Sequence, residues 1–499
     1  MAGSGVWKYL AYVLMAAYAV VGVVVLNVAI GNHAGGLATS IMDGADSLGL
    51  SAMWELQANL RESRVWFHLM MWGFIPVDGT ASLIFGETWK ALYFDLLTSI
   101  GWVILTGYLV WLYARETLKD DRAAFLLLLL FFLLPAALAN TIYWYGQPVF
   151  VAMMLALFAM RRGWNWLGAI LVIWGLGCHP MAVPTFLGLA WGAFRPHRWA
   201  GGQLLSGVDP EGDAARRSWR VSVAVCVGLG VWTAFLVVMS RMVDSPSIRG
   251  LLWDFFSGKL EPGALPRNLI QVGFFLLPMF LLPIVNRTWL PALAAITAYM
   301  VFGSQGVVTG FLLPAAGVAM AAMAHWMKRL SAFARWRLAL GGVVVAIAAN
   351  LLVPWSVFFP MTPDPLTGGL FAHHTWHVQA GEAAINRLIR DNIPEGTDRC
   401  LATWQIGPVM AQRCDFVTTL SFPFRRQTYH LRDFLDEGDR GRIDSGWWNF
   451  ILVDLRRERA AAGIDELLER IDAAGRWEVA GRTGEAVLFR RVEAPVSRR

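Results

Sequence analysis

HAGGLATSIMDGADSLGLSAMWELQ, residues 33–57, opens a polar interval that runs from Asn32 to Lys90 between apolar stretches. Before it, the apolar run from Tyr9 to Ile30 is long enough to cross a bilayer, which takes about 20 residues, and no convincing cleavage site follows. It reads as a retained first span rather than a signal peptide. After the interval, one apolar run succeeds another as far as residue 356. The interval's own apolar residues do not make a span, because Trp66 to Ile75 is too short and Pro76, Asp78 and Gly79 close it. Met53, Trp54, Leu56 and Leu60, then Trp66, Phe67, Leu69, Met70 and Trp72, suit one or two helices lying in the outer interface. A carboxylate-bearing shelf this close to the first span is where chemistry is expected to start, at Asp43 and Asp46.

The rest of the composition sets the class. Of 499 residues, 56% are hydrophobic and only 16% charged, against about 25% charged in an ordinary soluble protein. The mean hydropathy is +0.49, so the chain reads as a polytopic α-helical membrane protein. Its 25 Trp and 29 Phe suit bilayer interfaces and packing between helices. The net charge of +6 is accounted for by cytoplasmic anchoring and implies no nucleic acid. Candidate spans fall at 9–30, 91–113, 123–141, 148–161, 164–178, 180–194, 220–239, 268–285, 288–303, 307–327 and 338–356, about eleven in all. Basic residues crowd the side that carries Lys8, among them Arg115, Lys119, Arg122, Arg161, Arg162, Arg216, Arg217, Lys328, Arg329, Arg335 and Arg337. That bias puts the amino terminus in the cytoplasm, and an odd number of spans then puts the carboxy-terminal region outside.

Composition shifts sharply at Asp364. A helix is expected from His377 to Asp391, strands at Arg399 to Thr403, Asp415 to Leu420, Phe450 to Asp454 and Ala486 to Arg490, and further helices at Ile406 to Gln412, Leu431 to Asp436 and Ile464 to Ala474. Strands alternating with helices argue a small external α/β domain. The expected organisation is a membrane module over 1–360, including the outer loop 32–90, and an external domain over 361–499. The four cysteines show no metal-ligand spacing. Cys400 and Cys414 form a disulfide if their strands are neighbours in an oxidising compartment, and otherwise are two buried thiols.

The order of parts resembles the GT-C superfamily of integral-membrane glycosyltransferases: one span, a large outer loop with carboxylates, many further spans, then an external α/β domain. RVWFHLMMWGFI (64–75), Phe85-Gly86 and ALYFDLLTSIGWVILTGYLVWLYAR (91–115) resemble the region where those enzymes lead from an interfacial helix into the second span. TIYWYGQPVFVAMMLALFAMRR (141–162) and GLGCHPMAVPTFLGLAW (175–191) resemble their next helix pairs. The end of the chain, from EAAINRLIRDNIPEGTDRCLATWQIGPVMAQRCDFV (382–417) through WWNFILVDLR (447–456) to EAVLFRR (485–491), is similar to the external domain of an uncharacterised bacterial membrane-protein family of the same layout. The resemblance implies transfer of a sugar from a polyprenyl-phosphate donor to an acceptor at the outer face of the bacterial inner membrane, with an acidic residue of the first outer loop as base or metal ligand. That role falls on Asp43 or Asp46. The family's usual Asp-Glu pair is replaced here by Asp-Gly-Ala-Asp, so a non-catalytic membrane subunit or scaffold that binds protein partners through its external domain stays open beside the enzyme.

Inverting transfer needs a carboxylate within reach of the acceptor hydroxyl and positive charge or a metal ion at the departing phosphate. Asp43 and Asp46, three apart, share a face on a helical turn and suit a divalent ion or a base with its orienter; Asp46 ahead of SLGLSAMWEL equally suits a helix N-cap. Asp95, inside the expected second span, faces either a polar cavity or hydrating interface. Tyr143, Trp144, Tyr145 and Gln147 suit stacking on sugar rings and bonding their hydroxyls, as they also suit an aromatic belt. His68, His179 and Arg249 are further substrate-binding candidates on outer segments, Arg249 for a lipid-linked phosphate. His373 and His377, four apart, suit a shared metal or a hydrated linker.

Overall fold

The structure is a computed structural model describing residues 4–32, 84, 89–142, 148–162, 164–178, 182–183, 185–186, 223, 226–234, 238, 265–276, 294, 296–297, 309–352, 380–403, 410, 413–420, 437–455, 463–484 and 486–492. The chain divides into two compact units, one carrying residues 97–371 with the first 25, the other built on residues 372–499.

The first unit is helical: α1 (Ser4–Asn32), α2 (Trp89–Leu118), α3 (Asp121–Leu133), α4 (Pro135–Ile142), α5 (Val149–Arg161), α6 (Asn165–Cys178), α7 (Leu265–Leu276), α8 (Thr309–Met327) and α9 (Ala332–Leu352). Among the described residues, three stretches are long and apolar enough to cross a membrane, Gly5–Val25, Leu97–Leu118 and Ala332–Leu352, with shorter apolar helices at Val149–Ala159, Asn165–Cys178 and Leu312–Met327. The runs expected at 180–194 and 288–303 lie mostly outside the described residues, and that at 220–239 is described as helix at 223, 226–234 and 238. The core is built on α8, where Leu312, Leu313, Ala315, Ala316 and Val318 to Ala322 are fully buried. Its small side chains allow close approach, the usual way helices pack where no water drives them together. At Gly317 a Cβ would lie 2.5 Å from Cγ of Phe150, so the α5 ring rests on bare backbone. By contrast α9 buries only a stripe, Ala339, Val343, Ala346 and Asn350, at helical spacing.

The run expected as one span at 123–141 is two helices. Pro135 has no N–H to continue α3, and Leu134 turns out of the helix with φ −61 and ψ 136. Breaking a helix leaves carbonyls of its last turn to be satisfied elsewhere. Asn350 Nδ2 donates to Leu133 O at 2.7 Å and to Ala346 O at 2.8 Å, joining α9 to the break.

The second unit is a five-stranded sheet of β1 (Thr397–Thr403), β2 (Cys414–Leu420), β3 (Phe450–Asp454), β4 (Trp477–Arg482) and β5 (Ala486–Arg491), in the order β2-β1-β3-β5-β4. β1 pairs in parallel with β2 and β3, while β5 runs antiparallel to both β3 and β4. Because strand side chains alternate, the sheet carries two cores. Cys400, Ala402, Phe450, Leu452, Ala486 and Leu488 pack with Ile385, Leu388 and Ile389 of α10 (Ala380–Asn392). On the other face Leu401, Ile451 and Val453 pack with Ile443 of α11 (Glu437–Asp444) and with Ile464, Leu467 and Ile471 of α12 (Gly463–Ala474).

The expected strands occur, each within two residues of its expected bounds. β4 was not foreseen, because WEVAGR shows no sustained alternation and, at the sheet edge beside a bulge at Val479/Gly481, it is only partly covered. The helix expected at 431–436 falls outside the described residues, and the one that is described begins at Glu437. Cys400 and Cys414, on neighbouring strands with Cα atoms 6.2 Å apart, form a disulfide.

Candidate functional site

The helix ends determine where a site can be assembled. At one end of the helical unit, α1 begins, α2 ends, α3 begins, α8 ends and α9 begins, tied by charged and aromatic side chains. Lys119, in the left-handed region at φ 51, ends α2. Asp120 then caps α3, accepting from the backbone N–H of Arg122 and Ala123 at 3.1 Å. Arg115 pairs with Asp121 at 2.9 Å. The Arg122 guanidinium lies over the rings of Trp7 from α1 and Trp336 from α9, at 5.7 and 4.7 Å. Arg335 closes the cluster by donating to Met327 O (2.9 Å), Leu118 O (3.1 Å) and Lys328 O (2.8 Å). Nearby, Tyr113 Oη of α2 stands 3.5 Å from Nδ1 of His325 on α8. This end gathers Arg115, Lys119, Arg122, Lys328, Arg329 and Arg335, the residues whose charge bias the sequence assigns to one side.

Each of those helices therefore leads its other end, Asn32, Trp89, Leu133, Thr309 and Leu352, away from the basic cluster. α5 and α6 pack side by side across a tight link, in which Trp164 N–H donates to Ala159 O at 2.9 Å. Val149 and Cys178 consequently leave that hairpin at one common end. The distal end of α1 and the first turns of α2, with Asp95 among them, group with the second unit. Asp95 lies on α2 two residues before the span-like stretch Leu97–Leu118. In sequence, the other expected site residues fall in the connections between helices. Asp43, Asp46 and His68 lie between α1 and α2, Tyr143, Tyr145 and Gln147 between α4 and α5, and His179 directly follows α6. All of them, with Arg249, His373 and His377, fall outside the described residues. Among the described residues, no group of three or more His, Cys, Asp or Glu could hold a metal.

Sequence reasoning found the basic side but not how it is built. Nothing local distinguishes Arg335 from its neighbours, since its three acceptors come from the ends of two helices, one of them 217 residues away.

No protein-family model matches the chain, and no curated protein does. Among solved structures, it is similar to ArnT from Cupriavidus metallidurans bound to undecaprenyl phosphate, with 13% identity, 96% of this chain and 98% of that one covered, and a TM-score of 0.57. The apo state of the same protein is similar at 14% identity, equal coverage and a TM-score of 0.54. At such identity the likeness concerns the fold, and it runs nearly end to end. This chain shares the overall fold of that protein, a helical unit with stretches long and apolar enough to cross a membrane and a small sheet-bearing domain after it.

Proposed function

We propose that this protein is a GT-C-type glycosyltransferase of the bacterial inner membrane, moving a sugar from a polyprenyl-phosphate donor to an acceptor at the outer face. The observation that carries the reading is the end-to-end likeness to ArnT, a protein solved with undecaprenyl phosphate bound. In this reading about eleven spans occupy 1–360, the amino terminus is cytoplasmic, and 361–499 form a periplasmic domain. The Cys400–Cys414 disulfide supports an oxidising compartment for that domain.

The acceptor hydroxyl oxygen attacks the anomeric carbon, the bond from that carbon to the phosphate oxygen breaks, and polyprenyl phosphate leaves. Asp43 takes the hydroxyl proton as general base, and Asp46 orients it. Arg249 meets the leaving phosphate, His179 and His68 bond sugar or phosphate oxygens, and Tyr143, Tyr145 and Gln147 hold the sugar ring. Asp95 borders the site from α2. Asp43 and Asp46 are also the residues that would hold a divalent cation, which would offset charge on the leaving phosphate. His373 and His377 are a second proposed metal pair.

Transfer of labelled sugar from polyprenyl-phosphate donors in membranes tests the reading. Asp43→Asn with Asp46→Asn is expected to lower incorporation by about 100-fold or more, the scale of a lost general base. Undiminished incorporation removes the assignment, and absence of transfer by the parent protein across donors favours a scaffold. Incorporation lost in EDTA and recovered with Mg²⁺ or Mn²⁺ would support the cation; full activity in EDTA would exclude it.

A further inference from the structure

The turn ahead of β3 collects positive charge that no carboxylate among the described residues answers. Gly446, at φ +66, reverses the backbone there. Arg491 Nη1, from β5, donates to Gly446 O at 3.1 Å, and Arg476 Nη1, just before β4, reaches Ser445 O at 3.5 Å. The next residue, Trp447, has the guanidiniums of Arg399 from β1 and Arg442 from α11 over its ring, 4.5 and 5.2 Å from the centroid. Four other arginines of the domain are answered, since Arg413 pairs with Glu395, Arg440 with Glu466, Arg470 with Asp444 and Arg490 with Glu478. Asp444, the carboxylate nearest in sequence to the turn, is thus engaged by Arg470. The four at the turn make no ion pair among the described residues.

Four like charges brought to one turn repel, so their convergence is unfavourable unless an anion offsets it. Arg476 and Arg491 each spend one of five donors on a carbonyl, and a guanidinium stacked on a ring keeps its in-plane N–H donors for other acceptors. Arg442 and Arg476 are exposed, Arg399 and Arg491 half-buried, so the remaining donors are open to solvent. A group with several anionic oxygens fits this array best, and guanidinium forks match phosphate bidentately.

We propose that the Ser445–Trp447 turn is an anion site that takes a phosphate group, presented by a lipid headgroup or by a soluble phosphate ester. The inference is independent of the glycosyl-transfer reading. The test uses the full chain in detergent and in nanodiscs, modified with phenylglyoxal and mapped by mass spectrometry. Inorganic phosphate, compared with chloride at equal ionic strength, is expected to protect Arg399, Arg442, Arg476 and Arg491 severalfold and to leave exposed Arg482 unprotected. Protection in nanodiscs containing phosphatidylglycerol, but not phosphatidylcholine alone or free phosphate, would identify a headgroup as the source. Calorimetric titration with phosphate should show binding weakened about tenfold by Arg442→Gln with Arg476→Gln, and unchanged by Arg482→Glu, which removes the same net charge. Equal protection of Arg482, or protection by neither probe, overturns the proposal, and this footprint on the unaltered protein decides even if the double variant does not fold.

Discussion

Asn350 carries a side-chain amide into an apolar helix packing, where it must be bonded to be tolerated. Its Nδ2 meets that requirement by donating to Leu133 O and Ala346 O, which holds α9 against the Pro135 break, while Oδ1 is buried with no partner among the described residues. Asn350→Leu is expected to lower stability by about 1 kcal/mol, the scale of a side-chain hydrogen bond between membrane helices, read as a fall in thermal midpoint in detergent. Gly317 offers a sharper test, because the Phe150 ring occupies the space a methyl group would need. Gly317→Ala should cost about 1–3 kcal/mol by overpacking, and Phe150→Leu in the same chain should recover part of that loss; a purely additive pair would show that the ring is not the obstacle. Neither residue stands out in the sequence, where one is an Asn in an apolar run and the other a Gly among alanines.

At the scale of elements, termini and edges carry the specificity. Arg335 ties the end of α8, the start of α9 and the end of α2 through three carbonyls. Arg335→Ala leaves those acceptors to water or to nothing, and about 2 kcal/mol of stability should go with them, since bonds to charged donors are worth about 1.5–3 kcal/mol. Arg335→Lys should restore only part, a single ammonium being unable to reproduce the planar fork. In the sheet domain, Cys400 and Cys414 close a loop of 14 residues in sequence separation, worth about 3 kcal/mol through the unfolded chain. Denaturant unfolding of the full chain, followed by a probe in the domain, should shift by that amount on replacing both cysteines with serine. No shift on replacement or reduction would mean that the bridge adds nothing to the fold. The strands with alternating or continuous apolar residues are legible in the sequence, as Phe450 to Asp454 illustrates, because a strand buried on both faces writes a short continuous apolar run. β4 is not, since an edge strand covered only in part has little apolar pattern to write.

For the molecule as a whole, orientation is the property that links fold to function. The basic residues cluster at helix ends drawn together by Arg115, Arg122 and Arg335, and the sequence that carries Asp43 follows the other end of α1. A phosphatase fused after Arg499 should be active and a fluorescent protein fused there dark, if that domain is periplasmic; the reverse result would overturn the topology and, with it, an outer-face reaction. Hydropathy and charge bias are sums over local composition, so the membrane class, the basic side and the α/β character of the carboxy-terminal segment could be read from the residues alone. Only the tertiary structure decided that Pro135 splits an apparent span and that Asn350 bonds to the break, that Cys400 meets Cys414, that the strands order as β2-β1-β3-β5-β4, and that arginines from four segments converge on one turn. The physical reason is common to all of these: each depends on partners distant in sequence, and no local pattern of hydrophobicity or charge specifies which distant partner a residue will meet.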